Sequence, residues 1–210
     1  TDKIVIRSIL TNYYFIRSLK NNIIKSKGGF MPKQEEQAKQ FAYKVHKGMK
    51  RKGKDTPFTY HLELVNKILK TLTTDDEILA AGWLHDVIED TPITLDELKK
   101  EFNSKICYYV DLETEDKSLP WKDRKLKQIE ELRRNNFEVA LIAYADKMAN
   151  MTEMFDDYKI IKDELWKRFN RGKEKQYWYY LEFYKIFCYN ELIDKEHLKE
   201  YEMLLEKLFK

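Results

Sequence analysis

Residues 80–91 place several groups capable of acid–base or metal chemistry in one short segment. Residues 80–84 are apolar, and four polar residues follow within six positions: His85, Asp86, Glu89 and Asp90. Side chains three or four positions apart on a helix lie on neighbouring faces, so these groups can act together. A charge buried in such a helix must be paired or bound to a metal. The segment by itself leaves two interpretations open, a salt-bridged helix end and a functional site.

His61 and Asp146 are two further candidates for metal ligation. Asp146 follows the apolar stretch 139–142 and needs a partner there. Because adjacent helix positions point in different directions, we expect Lys147 to face away from Asp146, which favours a metal as the partner. His61 lies just after Pro57, and a lone histidine at such a position is more often a capped or core residue than a ligand. Two imidazoles and two carboxylates suit a six-coordinate divalent ion such as Mn²⁺.

The order of these residues resembles the H…HD…D signature of HD-domain metal-dependent phosphohydrolases. Within that superfamily the chain is most similar to the alarmone hydrolases, which comprise the hydrolase half of RelA/SpoT proteins and the stand-alone small alarmone hydrolases. The resemblance covers roughly residues 35–190. The matching elements are FAYKVHKG at 41–48, RKG at 51–53, PFTYH at 57–61, HDxxED at 85–90, DKSLP at 116–120 and ADKMANM at 145–151.

The resemblance implies a fold, an activity and a role for each matching residue. The family fold is a compact bundle of about ten helices, and its members remove the 3′-pyrophosphate of (p)ppGpp with Mn²⁺. Glu89 and Asp90 would be the catalytic carboxylates, Arg51 would stack on the guanine, and Asn150 would line the nucleoside pocket. The implied metal ligands are His61, His85, Asp86 and Asp146.

A polyphosphate substrate also needs cations near the acidic elements. The loop before His61 is basic, and residues 169–180 alternate lysines with aromatic residues. Each basic residue could instead be a solvated surface charge, and the aromatic run could pack in the core or stack on single-stranded nucleic acid. We predict that the substrate is contacted by Arg51, Lys52, Lys117, Lys147, Asn150, Lys173 and Tyr177.

Three departures from the family pattern leave the substrate open. Leu62 replaces the usual Pro after the first histidine, the basic loop has one extra residue, and Thr152 stands where many members have Arg. None removes a metal ligand, so hydrolysis is still expected. The alternatives are an HD phosphohydrolase for a dNTP, a nucleotide monophosphate or NADPH, and a non-catalytic nucleotide-binding or protein-interaction module.

The secondary-structure elements that carry these residues are all predicted to be helices. No segment alternates apolar and polar residues, and no glycine-rich phosphate loop is present, so the fold class is all-α. We expect Thr56 to cap one helix, and capping boxes at Thr74 with Glu77 and at Thr94 with Glu97. The predicted helices span about 34–50, 57–72, 75–90, 95–103, 105–114, 121–134, 136–155, 159–169, 172–193 and 195–209.

Composition and charge argue against a membrane protein and against a dedicated nucleic-acid binder. The chain has 210 residues, only 6 Gly and 4 Pro, and no apolar run long enough to cross a membrane. Residues 1–30 carry a net charge of +5 and the whole chain +3, so residues 31–210 sum to −2. This nearly neutral body argues against a dedicated nucleic-acid binder.

We therefore divide the chain into a basic extension, residues 1–30, and a single domain, residues 31–210. The extension lacks the apolar core of a signal peptide, and a basic amphipathic helix or an extended gene model are its other interpretations. Two separated cysteines favour a reducing, cytoplasmic setting. The expected partner is a small-molecule nucleotide, and self-association into a homo-oligomer stays open.

Overall fold

The computed structural model describes residues 33–134 and 137–210, and the predictions for residues 1–30 lie outside this range. Within it the chain forms ten α-helices, one 3₁₀ helix and no strand, so the predicted all-α fold is confirmed. No described helix is long and apolar enough to span a membrane. The α-helices are α1 Gln34–Val45, α2 Thr59–Leu72, α3 Asp76–Leu84, α4 Val87–Asp90, α5 Leu95–Glu101, α6 Ser104–Glu113, α7 Trp121–Arg133, α8 Phe137–Ile161, α9 Gly172–Phe187 and α10 Lys195–Phe209; the 3₁₀ helix Lys162–Arg168 follows α8.

Two helix starts differ from the sequence prediction. The carboxylate of Asp75, not the hydroxyl of Thr74, caps α3 by accepting from the backbone N–H of Glu77 at 2.8 Å. The predicted box of Thr74 with Glu77 is therefore wrong, whereas the box at the start of α5 is confirmed. α2 begins at Thr59 with Phe58 as its N-cap, so the expected cap at Thr56 is also wrong.

Other boundaries shift because helix continuity depends on local breakers. Residues 156–161 contain neither Gly nor Pro, so α8 runs through the predicted gap to Ile161. α9 ends at Phe187 rather than at residue 193. The turn after it is held by Asn190, whose side-chain amide donates to the carbonyl of Phe137 at 2.9 Å.

The close approach of α2 and α3 depends on Gly82. A Cβ atom at this position would lie 2.6 Å from Cδ2 of Leu69 and 3.3 Å from Oδ1 of Asn66, both on α2. The absence of a side chain thus lets the two helices pack tightly. His85 follows three residues later and is brought beside His61 of α2.

α8 passes through the centre of the described unit and is buried over most of residues 139–154. Its Tyr144 donates a hydrogen bond to the carbonyl of His197 at 2.8 Å, which ties α8 to α10. Leu62, Val65 and Leu69 of α2 are fully buried. Each such side chain contributes about 1.5–3 kcal/mol to folding, so the position of α2 beside α8 is firmly set.

Candidate metal centre and substrate cleft

Four side chains from three parts of the fold converge below a cleft. His61 comes from α2, His85 and Asp86 from the turn between α3 and α4, and Asp146 from α8. Oδ1 of Asp146 lies 3.1 Å from Nε2 of His61 and 3.7 Å from Nε2 of His85. Oδ2 of Asp86 lies 3.7 Å and 3.1 Å from the same two nitrogens.

The turn at His85 and Asp86 makes this convergence possible. The sequence predicts one helix over 75–90, but the helical pattern is interrupted at these two residues. On an unbroken helix, adjacent side chains diverge by about 100°. The turn allows His85 and Asp86 to face one point and places Glu89 at the start of the short helix α4.

The other nitrogen of each imidazole is already engaged. Nδ1 of His61 donates to Oε1 of Glu153 at 3.1 Å, and Nδ1 of His85 donates to the carbonyl of Gly82 at 2.9 Å. Since both partners can only accept, each Nδ1 must carry the proton and each Nε2 can offer a lone pair.

These residues fit a divalent cation. Nε2 of His85 is buried and has no hydrogen-bond partner. One ligand atom from each of His61, His85 and Asp86 lies within 4.8 Å of the others. An orphaned buried nitrogen between two carboxylates is the arrangement expected of a His/Asp metal site.

Asp146 has a second partner that the sequence did not predict. Nζ of Lys147 lies 2.6 Å from Oδ2 of Asp146, so the expectation that these neighbours face apart is wrong. The long lysine side chain reaches back while its ammonium lies 4.8 Å from the ring centre of Phe183. Lys147 neutralises one oxygen of Asp146, while Oδ1 still faces the two histidines.

The charges in this cluster shift one another strongly. Burial alone would lower the pKa of His85, but Asp86 and Asp146 raise it well above its usual value. Burial would raise the pKa of Asp86, but His85 and His61 lower it to about 2. The pocket therefore holds positive charge between its carboxylates, which is the place that a cation would take.

Glu89 and Asp90 stand at the edge of this cluster. Burial, and then the charges of Asp86 and Glu115, raise the pKa of Glu89. Nζ of Lys117 lies 3.5 Å from Oε1 of Glu89 and 3.1 Å from Oδ1 of Asp90, and also donates to the carbonyl of Glu89 at 2.7 Å. Lys117 thus orients both carboxylates.

Comparison with known proteins agrees with this geometry. Residues 38–166 match the family defined as the HD domain. The chain belongs to the HD-domain family. Two similar relatives are the proteins named guanosine-3′,5′-bis(diphosphate) 3′-pyrophosphohydrolase MESH1 of Drosophila melanogaster and of Homo sapiens. The fly protein is 36% identical over 118 residues, which are 55% of this chain and 66% of the relative. The human protein is 35% identical over 121 residues, which are 56% of this chain and 68% of the relative.

A solved structure of a metazoan ortholog of SpoT, described as hydrolysing ppGpp, shares the HD-domain fold. It aligns with a TM-score of 0.66 at 24% identity and covers 86% of this chain and 98% of its own. The resemblance inferred from the motifs and the expected helical bundle are both confirmed by these matches.

The basic loop of this HD domain is folded against α8. A short antiparallel bridge between Lys50 and Pro57 closes the loop, and Arg51 points from it toward α8. Nη2 of Arg51 donates to Oδ1 of Asn150 at 2.7 Å, and Nε donates to Oε2 of Glu153 at 3.2 Å. Asn150 in turn donates to Oδ1 of Asp146 at 2.6 Å, so the loop is connected to the metal centre.

The cleft above the cluster has a volume of about 240 Å³ and a polar far wall that the sequence did not reveal. The side chain of Lys125 pairs with Glu115 and lies 4.4 Å from the ring centre of Tyr179, whose hydroxyl donates to Gln128 at 2.6 Å. The unpredicted residues that line the cleft are Glu113, Glu115, Lys125, Gln128, Gln176, Tyr179 and Tyr180.

Glu113 is the least expected of these side chains. It is 5% exposed, its Oε1 has no hydrogen-bond partner, and burial raises its pKa to about 7. Its position at the end of α6, three residues after Val110, could have identified it from the sequence. A carboxylate among buried apolar residues needs a hydrogen-bonding or charged partner.

Four predicted substrate contacts are not among the residues that line the cleft: Lys52, Lys117, Lys173 and Tyr177. Lys52 is exposed on the loop and is not among the lining residues. Nζ of Lys173 lies 5.6 Å from the ring centre of Trp166, and Tyr177 packs on Phe209 with ring centres 5.7 Å apart. Lys173 and Tyr177 thus contact other parts of the molecule, and Lys117 pairs with Glu89 and Asp90. The role of these four residues as substrate contacts stays a prediction. Arg51, Lys147 and Asn150 do line the cleft.

Proposed function

We propose that this chain is a metal-dependent phosphohydrolase that removes the 3′-pyrophosphate of guanosine 3′,5′-bis(diphosphate)-type alarmones. The observation that carries the proposal is the pair of buried imidazoles facing two carboxylates at a cleft whose lining includes the cations Arg51, Lys125 and Lys147. Relatives that carry the name of this activity and match the same region support it.

The proposed cofactor is Mn²⁺, held by His61, His85, Asp86 and Asp146. A mixed set of imidazole nitrogens and carboxylate oxygens suits this ion. A divalent cation supplies a Lewis acid that activates water and neutralises charge on the phosphate oxygens.

The chain's own acid–base group is proposed to be Glu89. In the reaction, a bond forms between water oxygen and the phosphorus attached to the ribose 3′-oxygen, and the bond between that phosphorus and the 3′-oxygen breaks. The 3′-oxygen takes up a proton as it leaves and becomes a hydroxyl, so the products are GDP and pyrophosphate. Glu89 would accept the proton of the attacking water, and its raised pKa makes it a stronger base than an exposed carboxylate. Lys117 would hold Glu89 and Asp90 in place.

Substrate binding is proposed to use the two walls of the cleft differently. The guanidinium of Arg51 lies 5.6 Å from the ring centre of Phe58 and also borders the cleft, where a guanine could stack on it. Lys125 on the opposite wall would contact phosphate oxygens. Lys147 would contribute positive potential while it stays paired with Asp146.

Residues 31–210 are proposed to be sufficient for this activity, since every side chain of the site belongs to them. A cytoplasmic setting is proposed because Cys107 and Cys188 are both free thiols.

A substrate panel tests the proposed function. The purified chain is incubated with Mn²⁺ and equal concentrations of ppGpp, GTP, dGTP, GMP and NADPH, and the initial rate of each is measured. We expect ppGpp to have the highest kcat/KM. Faster hydrolysis of dGTP or NADPH would replace the alarmone by that substrate, and inactivity on every nucleotide with metal bound would favour a binding module.

A further inference from the structure

Glu153 of α8 is shared by two parts of the site that have different tasks. Its Oε1 accepts the proton on Nδ1 of His61 at 3.1 Å and lies 3.1 Å from Nη2 of Arg51. Its Oε2 accepts from Nε of Arg51 at 3.2 Å. The carboxylate is 7% exposed and so has no ready solvent alternative. One buried group thus contacts both a metal-ligand histidine and the arginine at the mouth of the cleft.

The contacts of Arg51 leave it few ways to move without moving Glu153. Its guanidinium also donates to Asn150 at 2.7 Å and lies over the ring of Phe58. Fork-like contacts of this kind fix the plane of a guanidinium. At the other end, an acceptor on the second nitrogen of a ligand histidine fixes the ring orientation and its basicity, and such acceptors change metal affinity about 10–100-fold.

We propose that Glu153 is a positioning residue that couples the metal-binding histidine His61 to Arg51, so that Arg51 controls divalent-cation affinity although it is not a ligand. The inference rests on the proposed function for the role of Arg51 in base binding, but the coupling itself needs only a bound cation. Because linkage is reciprocal, a cation held by His61 also fixes the arginine plane on which a base would stack.

The direction of the coupling follows from what Glu153 would do without Arg51. Nζ of Lys54 lies 3.9 Å from Oε2 of Glu153 and is the other cation within reach. With the guanidinium gone, the carboxylate is free to turn toward Lys54 and away from His61. Loss of Arg51 should therefore weaken cation binding through Glu153.

A double-mutant cycle on the full chain tests this proposal. Mn²⁺ binding is measured by isothermal titration calorimetry, without nucleotide or phosphate, for wild type, Glu153→Gln, Arg51→Met and the double variant. We expect Glu153→Gln to weaken Mn²⁺ binding about 10–100-fold. Arg51→Met should weaken it at least about 3-fold in the wild-type background and have no effect in the Glu153→Gln background.

Asp156→Asn is the matched control. Asp156 follows Glu153 by three residues on α8, and its exposed carboxylate pairs with the exposed Lys159 at 2.6 Å. We expect wild-type Mn²⁺ affinity in this variant. Thermal unfolding of the metal-free variants, followed by circular dichroism, shows whether each is folded at the titration temperature.

The outcomes separate the coupling from the proposed function. Additive effects of the two substitutions, or wild-type affinity in Glu153→Gln, would overturn the coupling and leave the hydrolase proposal intact. Non-additive effects in a chain that leaves ppGpp unchanged would support the coupling and reject the hydrolase proposal. A wild-type chain that binds no divalent cation would overturn both.

Discussion

The imidazole rings of His61 and His85 lie 5.5 Å apart between centroids, although they belong to different helical segments. Each ring donates its Nδ1 proton to an acceptor behind it and directs Nε2 forward. The carboxylates of Asp86 and Asp146 lie within 3.7 Å of both forward nitrogens. Gly82 allows the close packing of α3 against α2, so a fold-level feature determines the geometry of the candidate metal site.

Asp86→Ala is expected to abolish both metal binding and hydrolysis, because it removes the carboxylate beside both Nε2 atoms. Metal content is measured by inductively coupled plasma mass spectrometry after dialysis against Mn²⁺, and activity with ppGpp. Asp96→Ala, an exposed position on α5, serves as the control and should retain both. Stoichiometric metal in the Asp86→Ala protein would show that this residue is not a ligand.

Glu89→Gln is expected to keep the metal and to slow turnover about 10²–10⁴-fold, the usual effect of losing an acid–base group. The amide preserves the shape of the side chain but cannot accept the proton of water. Single-turnover rates with ppGpp and the metal content of the same sample check this. An unchanged rate would identify Glu89 as a helix-end charge that only pairs with Lys117.

Lys125→Met is expected to raise KM, whereas Lys173→Met is expected to leave KM unchanged. Lys125 lines the cleft, and a lost charged contact to phosphate of about 1.5–3 kcal/mol corresponds to a KM about 10–100-fold higher. Lys173 lies over Trp166 and should leave KM unchanged. Steady-state kinetics of both variants check this prediction. A higher KM for Lys173→Met, with an unchanged KM for Lys125→Met, would show that Lys125 is not the phosphate contact.

Glu113→Gln is expected to change how stability depends on pH. Burial raises the pKa of Glu113 from 4.5 to about 7, so between these values the folded chain keeps a proton that the unfolded chain has lost. The free energy of unfolding therefore falls by about 3 kcal/mol as pH rises from about 4.5 to 7.

The Gln variant lacks this loss, since its amide does not titrate. Urea unfolding in EDTA at pH 5 and pH 8 checks the prediction through the difference between variant and wild type, which should grow with pH in favour of the variant. Parallel profiles for the two proteins would mean that the carboxyl group of Glu113 titrates normally.

The fold class and the convergence of the four candidate metal ligands could be read from the sequence because they depend on local patterns. Helical periodicity predicts most of the ten α-helices within residues 33–134 and 137–210, and the motif spacing predicts the four residues that converge. Several boundaries were wrong, two of them for local reasons: Asp75 is a better cap than Thr74, and residues 156–161 contain no breaker.

The far wall of the cleft could not be predicted in the same way. Lys125 and Tyr179 belong to α7 and α9, and only the packing of these helices brings them together. The sequence analysis selected Tyr177 as a substrate contact, whereas Tyr179 is the residue that lines the cleft. Tyrosines two positions apart on one helix face different surroundings, and the sequence alone does not say which of them faces the cleft. Glu153 was within reach of sequence reasoning, because it follows Asp146 by seven positions and Asn150 by three on the same helix face.

The most direct test of the central claim is the identity of the products formed from ppGpp. The wild-type chain is incubated with ppGpp in Mn²⁺ or in EDTA, and the reaction is followed by ion-exchange chromatography against GDP and pyrophosphate standards. We expect equal amounts of GDP and pyrophosphate with Mn²⁺ and no reaction in EDTA. Intact ppGpp in the presence of bound Mn²⁺, or release of single phosphates in place of pyrophosphate, would contradict the assignment of this chain as a 3′-pyrophosphohydrolase.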